Sequence, residues 1–430
     1  MSDRIAGIVG RRVWDSRGRP TVEAEIRIAA GAVGRAIAPA GASTGSGEAV
    51  DRRDGGAAFG GLDVAGAVAS INGEISTALT GLAVDDQAAI DRALLDLDGT
   101  ADKSRLGGNA LIAVSMAAAH ASAASAGVPL WRHLAGADAP GPLPLPEIQI
   151  LGGGAHAARR VDVQDFMVIA VGAPDYPTAL EWTAEVYRSA GRLLAEAGKL
   201  QGVADEGGFW PAFDGNEEAM DCLLRAIEAS GRVPGDEVAI ALDIAASDFG
   251  SKGRYRLARD GREVDSDGLS DMLLGWLERY PVVSIEDPLG EDDEAAFARF
   301  TAAAPAGVQV VGDDLVTTNA GRIAHCAALG AANTALIKPN QIGTLTETRA
   351  ALDAARRAGW GAIVSARSGE TEDVTIVHLG VGWAIPQLKV GSFARSELMA
   401  KWNEGVRLSE TLDTGRSLPP RSAFAWGKGA

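Results

Sequence analysis

The sequence predicts an α/β protein in which a β/α barrel follows a smaller α+β domain. Two observations carry that prediction. From residue 145 onward, short apolar runs are separated by helical stretches, the pattern of strands joined by helices. Three of those runs, 238–246, 282–288 and 309–315, each carry an acidic residue toward the C-terminal end: Asp243, Glu286 and Asp313. In a barrel of parallel strands that end is the face on which active sites are built.

Along the chain, residues 22–39 alternate like a hairpin with a glycine turn. Residues 106–136 form a long Ala-rich helical stretch ended by Gly and Pro. Residues 136–146 are rich in Pro and Gly and mark the expected boundary between an N-terminal α+β domain, 1–137, and a catalytic barrel, 143–430. Eight strand candidates follow: 145–151, 164–172, 238–246, 282–288, 309–315, 334–340, 361–366 and 387–392. Helical stretches such as 176–198 and 345–359 separate most of them. No long helix fits between the first two, so the barrel is expected to be irregular. A doubly wound open sheet is the alternative arrangement of the same elements.

The chain has 430 residues, 47% of them apolar and 23% charged, with a net charge of -17. These values suit a globular protein, and the acidic balance argues against nucleic acid and anionic membrane partners. A small anionic substrate in a local cationic pocket stays compatible. Cys222 and Cys326 read as buried free thiols, and the lack of a disulfide framework points to the cytoplasm. The first residues lack the basic-then-apolar pattern of a signal peptide. No run approaches the ~20 apolar residues that span a membrane.

One carboxylate at a strand end is ordinarily a loop cap or an ion-pair partner. Three on one rim would repel one another unless a cation neutralised them, and oxygen-only donors select a hard ion, Mg²⁺ before Zn²⁺. Lys338 lies in the run 334–340, directly after its apolar part, and Lys389 lies in 387–392. Lys338 could pair with one of the acids. As a general base, away from bulk water and beside other cations, its pKa is expected to fall. Proton removal α to a carboxylate gives an enolate that metal ions stabilise. Glu206, followed by two glycines, is either a solvated turn acid or the acid that protonates a leaving hydroxyl. Asp165, on a neighbouring strand, could share a proton with a second carboxylate. Residues 38–49 form a loop of small residues, with Ser43 and Thr44, that could close as a lid. His156 lies in a Gly-rich loop and is weak evidence alone. Arg367 and Ser368 suit phosphoryl oxygens, although the Arg could brace acidic neighbours.

Taken together, the segments 14–23, 41–45, 108–117, 127–136, 205–209, 284–288, 311–315, 338–347, 367–373 and 389–397 resemble the enolase family nearly end to end. The resemblance implies a small N-terminal domain, an enolase-type barrel, and two Mg²⁺ ions that assist dehydration of 2-phosphoglycerate to phosphoenolpyruvate. It implies that Asp243, Glu286 and Asp313 hold one Mg²⁺ and that Ser43 of the lid meets the second, which arrives with substrate. Lys338 would be the base, Glu206 and Asp165 would stand on the acid side, Lys389 would contact the substrate carboxylate, and Arg367 and Ser368 would bind phosphate. It implies a homodimer or larger homo-oligomer.

The departures from the family pattern are specific. The usual His before Arg-Ser-Gly-Glu-Thr-Glu-Asp is Ala366, and the usual Glu of Gln-Glu-Phe-Met is Asp165. Gly152 replaces the Asn of Asn-Gly-Gly, Pro339 the Val after Lys338, and Ala40 the Ser of Pro-Ser-Gly. Loss of the imidazole removes a proton donor and its volume from the phosphorus end. These changes, beside intact metal and base positions, point to a larger phosphorus-bearing co-substrate. One branch fits: the carboxyphosphonoenolpyruvate synthases of phosphonate antibiotic biosynthesis, which join a phosphonoformate unit, in CMP-activated form on this reading, to the enolpyruvate skeleton. An ordinary 2-phosphoglycerate hydro-lyase and a non-catalytic enolase-like binding protein are the competing expectations.

Overall fold

The computed structural model describes residues 3–412, 415 and 417–427. Its N-terminal part is an antiparallel meander of β1 (Ile5–Trp14), β2 (Pro20–Ile28) and β3 (Val33–Ile37). The predicted hairpin is β2–β3, and its turn holds Gly31 at φ 97°, a left-handed angle that glycine adopts without strain. The hairpin reading did not include β1, where buried and exposed positions alternate only loosely.

The sheet packs against α1 (Gly108–Ala126), whose small side chains are buried nearly all round. Gly34 on β3 explains the fit: a Cβ there would collide with the α1 backbone at Ala117 and Ala121. The predicted helical stretch does not run through to residue 136. Gly127 caps α1 in a left-handed conformation, Pro129 follows, and α2 (Leu130–Ala135) starts afresh.

Eight strands then close into a barrel: β4 (Leu145–Gly152), β5 (Asp165–Ile169), β6 (Ala239–Asp243), β7 (Val282–Glu286), β8 (Gln309–Gly312), β9 (Thr334–Ile337), β10 (Gly361–Ser365) and β11 (Gln387–Ser392). Each pairs with the next, and β11 pairs with β4, so the open-sheet alternative is excluded. The irregularity expected between the first two strands is a reversal of direction. β5 runs antiparallel to both β4 and β6, while the other pairs are parallel. The physical reason is the short link from β4 to β5, which has a 3₁₀ turn at Gly154–Ala157 but no crossover helix. The chain must therefore turn straight back. This reversal delivers the first residue of β5 to the same rim as the last residues of its neighbours.

Helices cover the outside, among them α3 (Tyr176–Glu196), α4 (Asn216–Ala229) and α5 (Leu345–Arg357). Asp175 caps α3 by accepting from the Thr178 N–H at 2.9 Å, and Thr344 caps α5 through Glu347 N–H. Such caps contribute about 1 kcal/mol each. No helix among the described residues is long and apolar enough to cross a membrane. Cys326 is buried and Cys222 half-buried, both as free thiols.

Candidate active site at the barrel rim

Strand register sets the site. Asp165 at the start of β5 pairs with Asp243 at the end of β6, and Asp243 pairs with Glu286 at the end of β7. Asp313 follows the last residue of β8, Lys338 the last of β9, and Lys389 lies on β11 opposite Glu147 of β4. Ser43, His156, Glu206, Asp243, Asp313, Lys338, Ala366, Arg367, Ser368 and Lys389 line one cavity of about 30 Å³. Asp165 and Glu286 do not line it and meet it through Lys389, whose Nζ lies 3.9 Å from Asp165 and 2.7 Å from Glu286. A larger cleft of about 810 Å³ beside Phe249 and Arg254 holds none of these residues. Convergence of charge, not size, locates the chemistry.

Two ammoniums organise the acids. Lys389 Nζ donates to Asp243 Oδ2 and Glu286 Oε2, both at 2.7 Å. Lys338 Nζ donates to Asp313 Oδ2 at 2.5 Å, and Gln341 Nε2 donates to Asp313 Oδ1 at 2.8 Å. Among the described residues, the sets of three candidate donor atoms within 4.8 Å of one another are His156–Asp165–Glu206 and Asp287–Asp313–Asp314. Asp243, Glu286 and Asp313 are not drawn together in this way, because the lysines stand among them. Glu286 Oε1 is nevertheless buried without a partner, as is Gln164 Oε1 beside Asp243. Oxygen donors with unfilled acceptor capacity fit a hard divalent cation such as Mg²⁺.

The expectation that the Lys338 pKa falls is reversed here. Burial pulls it down, but the facing carboxylates of Asp313 and Glu286 more than compensate, and it is raised. Lys389 is raised further, with burial opposed by Asp243 and Glu286. Burial, and then Asp243, hold the Glu286 carboxyl well above its ordinary value. Asp287 adopts φ 39°, strained for a residue with a side chain, and accepts from the Asp313 and Asp314 N–H groups at 3.0 and 2.8 Å. That fixes the backbone that presents Asp313.

On the opposite wall, Gln149 Nε2 donates to Asp165 and lies 3.5 Å from Glu206 Oε2, while its own Oε1 accepts from Gly208 N–H at 2.8 Å. His156 Nε2 lies 3.4 Å from Glu206 Oε1, so the lone histidine of the sequence reading is part of this cluster. Burial, followed by the Glu206 charge, pushes Asp165 up to about 7. That suits the expected sharing of one proton between neighbouring carboxylates.

The lid is docked. Ser43 Oγ donates to Asp248 Oδ1 at 3.3 Å, the Ala42 N–H donates to Ser368 Oγ at 2.7 Å, and Arg367 pairs with Glu48 at 2.9 Å. The sequence reading did not single out Gln149, Gln164, Gln341, Glu48, Asp248 or Glu147. Gln164 and Gln341 stood beside motif residues and could have been found there; Asp248 lay in no motif. The cavity has room for on the order of two water molecules. The expected enlargement beside Ala366 is therefore not present with the 38–49 loop docked. His156 is the only histidine on the wall among the described residues.

The family model for the enolase N-terminal domain matches residues 5–134, and that for the enolase C-terminal TIM barrel domain matches residues 141–422. The chain belongs to the enolase family. Enolases are generally Mg²⁺-dependent lyases that bind phosphorylated substrates, in keeping with buried carboxylates at this rim.

Proposed function

We propose that this enolase-family chain carries out enolate chemistry on 2-phosphoglycerate or phosphoenolpyruvate, and that it is a carboxyphosphonoenolpyruvate synthase, in which the enolpyruvate oxygen exchanges its bond to phosphate for one to a phosphonoformate unit and the phosphate leaves. The observation that supports the altered reaction is the wall beside Arg367. Ala366 occupies the position before Arg367-Ser368, and the one imidazole in the cavity, His156, stands with Glu206 instead. A bulkier phosphorus group would need the lid to move, since about 30 Å³ admits no substrate.

Asp243, Glu286 and Asp313 would hold Mg²⁺, with Ser43 serving a second ion. Bound there, the metal would spread the charge of a developing enolate. Lys338 would take the proton α to the substrate carboxylate once it sheds its own, which pairing with Asp313 opposes. Lys389 would bind the substrate carboxylate. Arg367 and Ser368 would bind the phosphorus oxyanion bidentately. Glu206 and Asp165, sharing Gln149, would hold the proton on the leaving-group side. We read the protein as cytoplasmic and as a homodimer or larger assembly, which light scattering in solution tests.

A hydro-lyase reading keeps support from the unchanged Lys338, Glu206 and Lys389. Incubation with 2-phosphoglycerate, phosphoenolpyruvate, phosphonoformate and its cytidylyl form, followed by ³¹P NMR, decides between them. A new carbon- or oxygen-linked phosphonate signal supports the synthase. Rapid formation of phosphoenolpyruvate alone replaces it with the hydro-lyase.

A further inference from the structure

The two residues that would grip the phosphorus group already have partners, and both partners belong to the lid. Arg367 Nη1 donates to Glu48 Oε2 at 2.9 Å and Nη2 donates to Glu48 Oε1 at 3.1 Å. Nη1 also reaches Asn340 Oδ1, and Nη2 the Ser43 carbonyl, each at 3.1 Å. Glu48 is half-buried as a residue with its side chain 8% exposed, and it accepts further bonds from Gly45 N–H at 3.1 Å and Gln341 Nε2 at 3.3 Å. Two parallel N–H···O bonds to two oxygens of one anion are the geometry an arginine offers a phosphoryl group. The carboxylate of Glu48 fills that fork. The packing is close: a Cβ on Gly41 would collide with the Arg367 guanidinium.

Behind this pair lies a second chamber of about 250 Å³, lined by Thr44, Glu48, Asp51, Asn109, Asn340 and Arg367 among others. Arg367 lines both this chamber and the catalytic cavity. Glu48 therefore has open space beside it into which its carboxylate can withdraw while Arg367 stays in the cavity wall.

We propose that Glu48 is a specificity-determining residue, an internal anion that occupies Arg367 until the substrate's phosphorus oxyanion displaces it toward the chamber. The proposal rests on the reading that Arg367 receives the phosphorus group. An entering ligand must offer the guanidinium more than a buried bidentate carboxylate does. A phosphoryl or phosphonyl dianion does so, and a simple carboxylate monoanion does not. Glu48 also accepts from Gly45 N–H within the same loop and from Gln341, which holds Asp313, so its withdrawal reaches the acid side of the cavity through Gln341.

The test is calorimetric titration of the full chain in Mg²⁺ buffer with inorganic phosphate as probe, for the wild type, Glu48→Gln, Glu48→Ala and Arg367→Ala. Competition lowers apparent affinity by the fraction of molecules whose site is free, so both Glu48 variants are expected to bind phosphate about ten-fold more tightly. A residue that merely braces Arg367 predicts the opposite sign. Unchanged or weaker binding in both Glu48 variants, with their melting temperatures near that of the wild type, overturns the proposal. Phosphate binding that persists undiminished in Arg367→Ala removes Arg367 as the oxyanion residue, and with it the underlying functional reading.

Discussion

Lys389 donates to one oxygen of Glu286 at 2.7 Å, while the other, Oε1, is buried with no partner. A carboxylate half-satisfied in this way is poised for a second cation. Mg²⁺ is expected to raise the melting temperature of the wild type, equivalent to about 2.7 kcal/mol at a hundredfold excess over its Kd. Glu286→Gln should lose most of that gain. Equal shifts in both proteins, measured against EDTA controls, would place the metal elsewhere.

Lys338 is tied to Asp313 and is the base of the proposed reaction. Lys338→Met is expected to lower exchange of the substrate α-proton with solvent by about a thousandfold, the usual scale of general base catalysis. In EDTA it should also destabilise the fold by roughly 3–5 kcal/mol, because Asp313 is left buried without its ammonium. Proton exchange by NMR and urea unfolding read the two effects separately. Wild-type exchange in the variant would assign the base role to another group.

Ala366 lies between the Lys389 strand and Arg367, and its N–H donates to the Lys389 carbonyl at 2.9 Å. Ala366→His is expected to raise conversion of 2-phosphoglycerate to phosphoenolpyruvate by at least about tenfold, since it returns a proton donor to the phosphorus end. Ultraviolet absorbance of the product measures it. No gain in a variant that still binds Mg²⁺ would show that the missing imidazole is not what alters the reaction.

Glu147 is a carboxyl inside the barrel, one register pair from Lys389, and Gln387 Nε2 donates to it at 2.5 Å. Burial, only partly offset by Lys389, pushes it from 4.5 up to about 7. The folded state therefore holds the proton more tightly than the unfolded chain. That contribution is complete below about pH 4.5 and is lost as pH rises through about 7. Glu147→Gln keeps an acceptor for Gln387 and removes the titration. Its stability relative to wild type should rise by up to about 3 kcal/mol between about pH 4 and about pH 8. Urea unfolding of both proteins in EDTA tests this. A difference that does not change with pH would mean Glu147 titrates normally.

Much of the fold was legible because periodicity and punctuation are local. The strands at 238–246, 282–288 and 387–392 announce themselves by apolar runs, and the acids at their ends by position. β1 was missed because its alternation is loose, and the break at Gly127 was missed because the alanines before it and the leucines after it both favour helix. Glu48, Gln149 and Glu147 gave no signal: their meaning depends on partners 319, 16 and 240 residues away. The lone His156 became informative only through its place beside Glu206.

The sequence alone determined the family, the barrel, and the chemical types gathered at one rim, because each is written in residue identity and spacing. The tertiary structure decided the rest. Reversal of β5 brings Asp165 level with Asp243, and lid closure sets Glu48 into the Arg367 fork. Burial then raises the pKa of Asp165, while the facing carboxylates of Asp313 and Glu286 raise that of Lys338 against burial. Those outcomes depend on which distant charges share a low-dielectric space, and that is fixed only when the chain closes on itself.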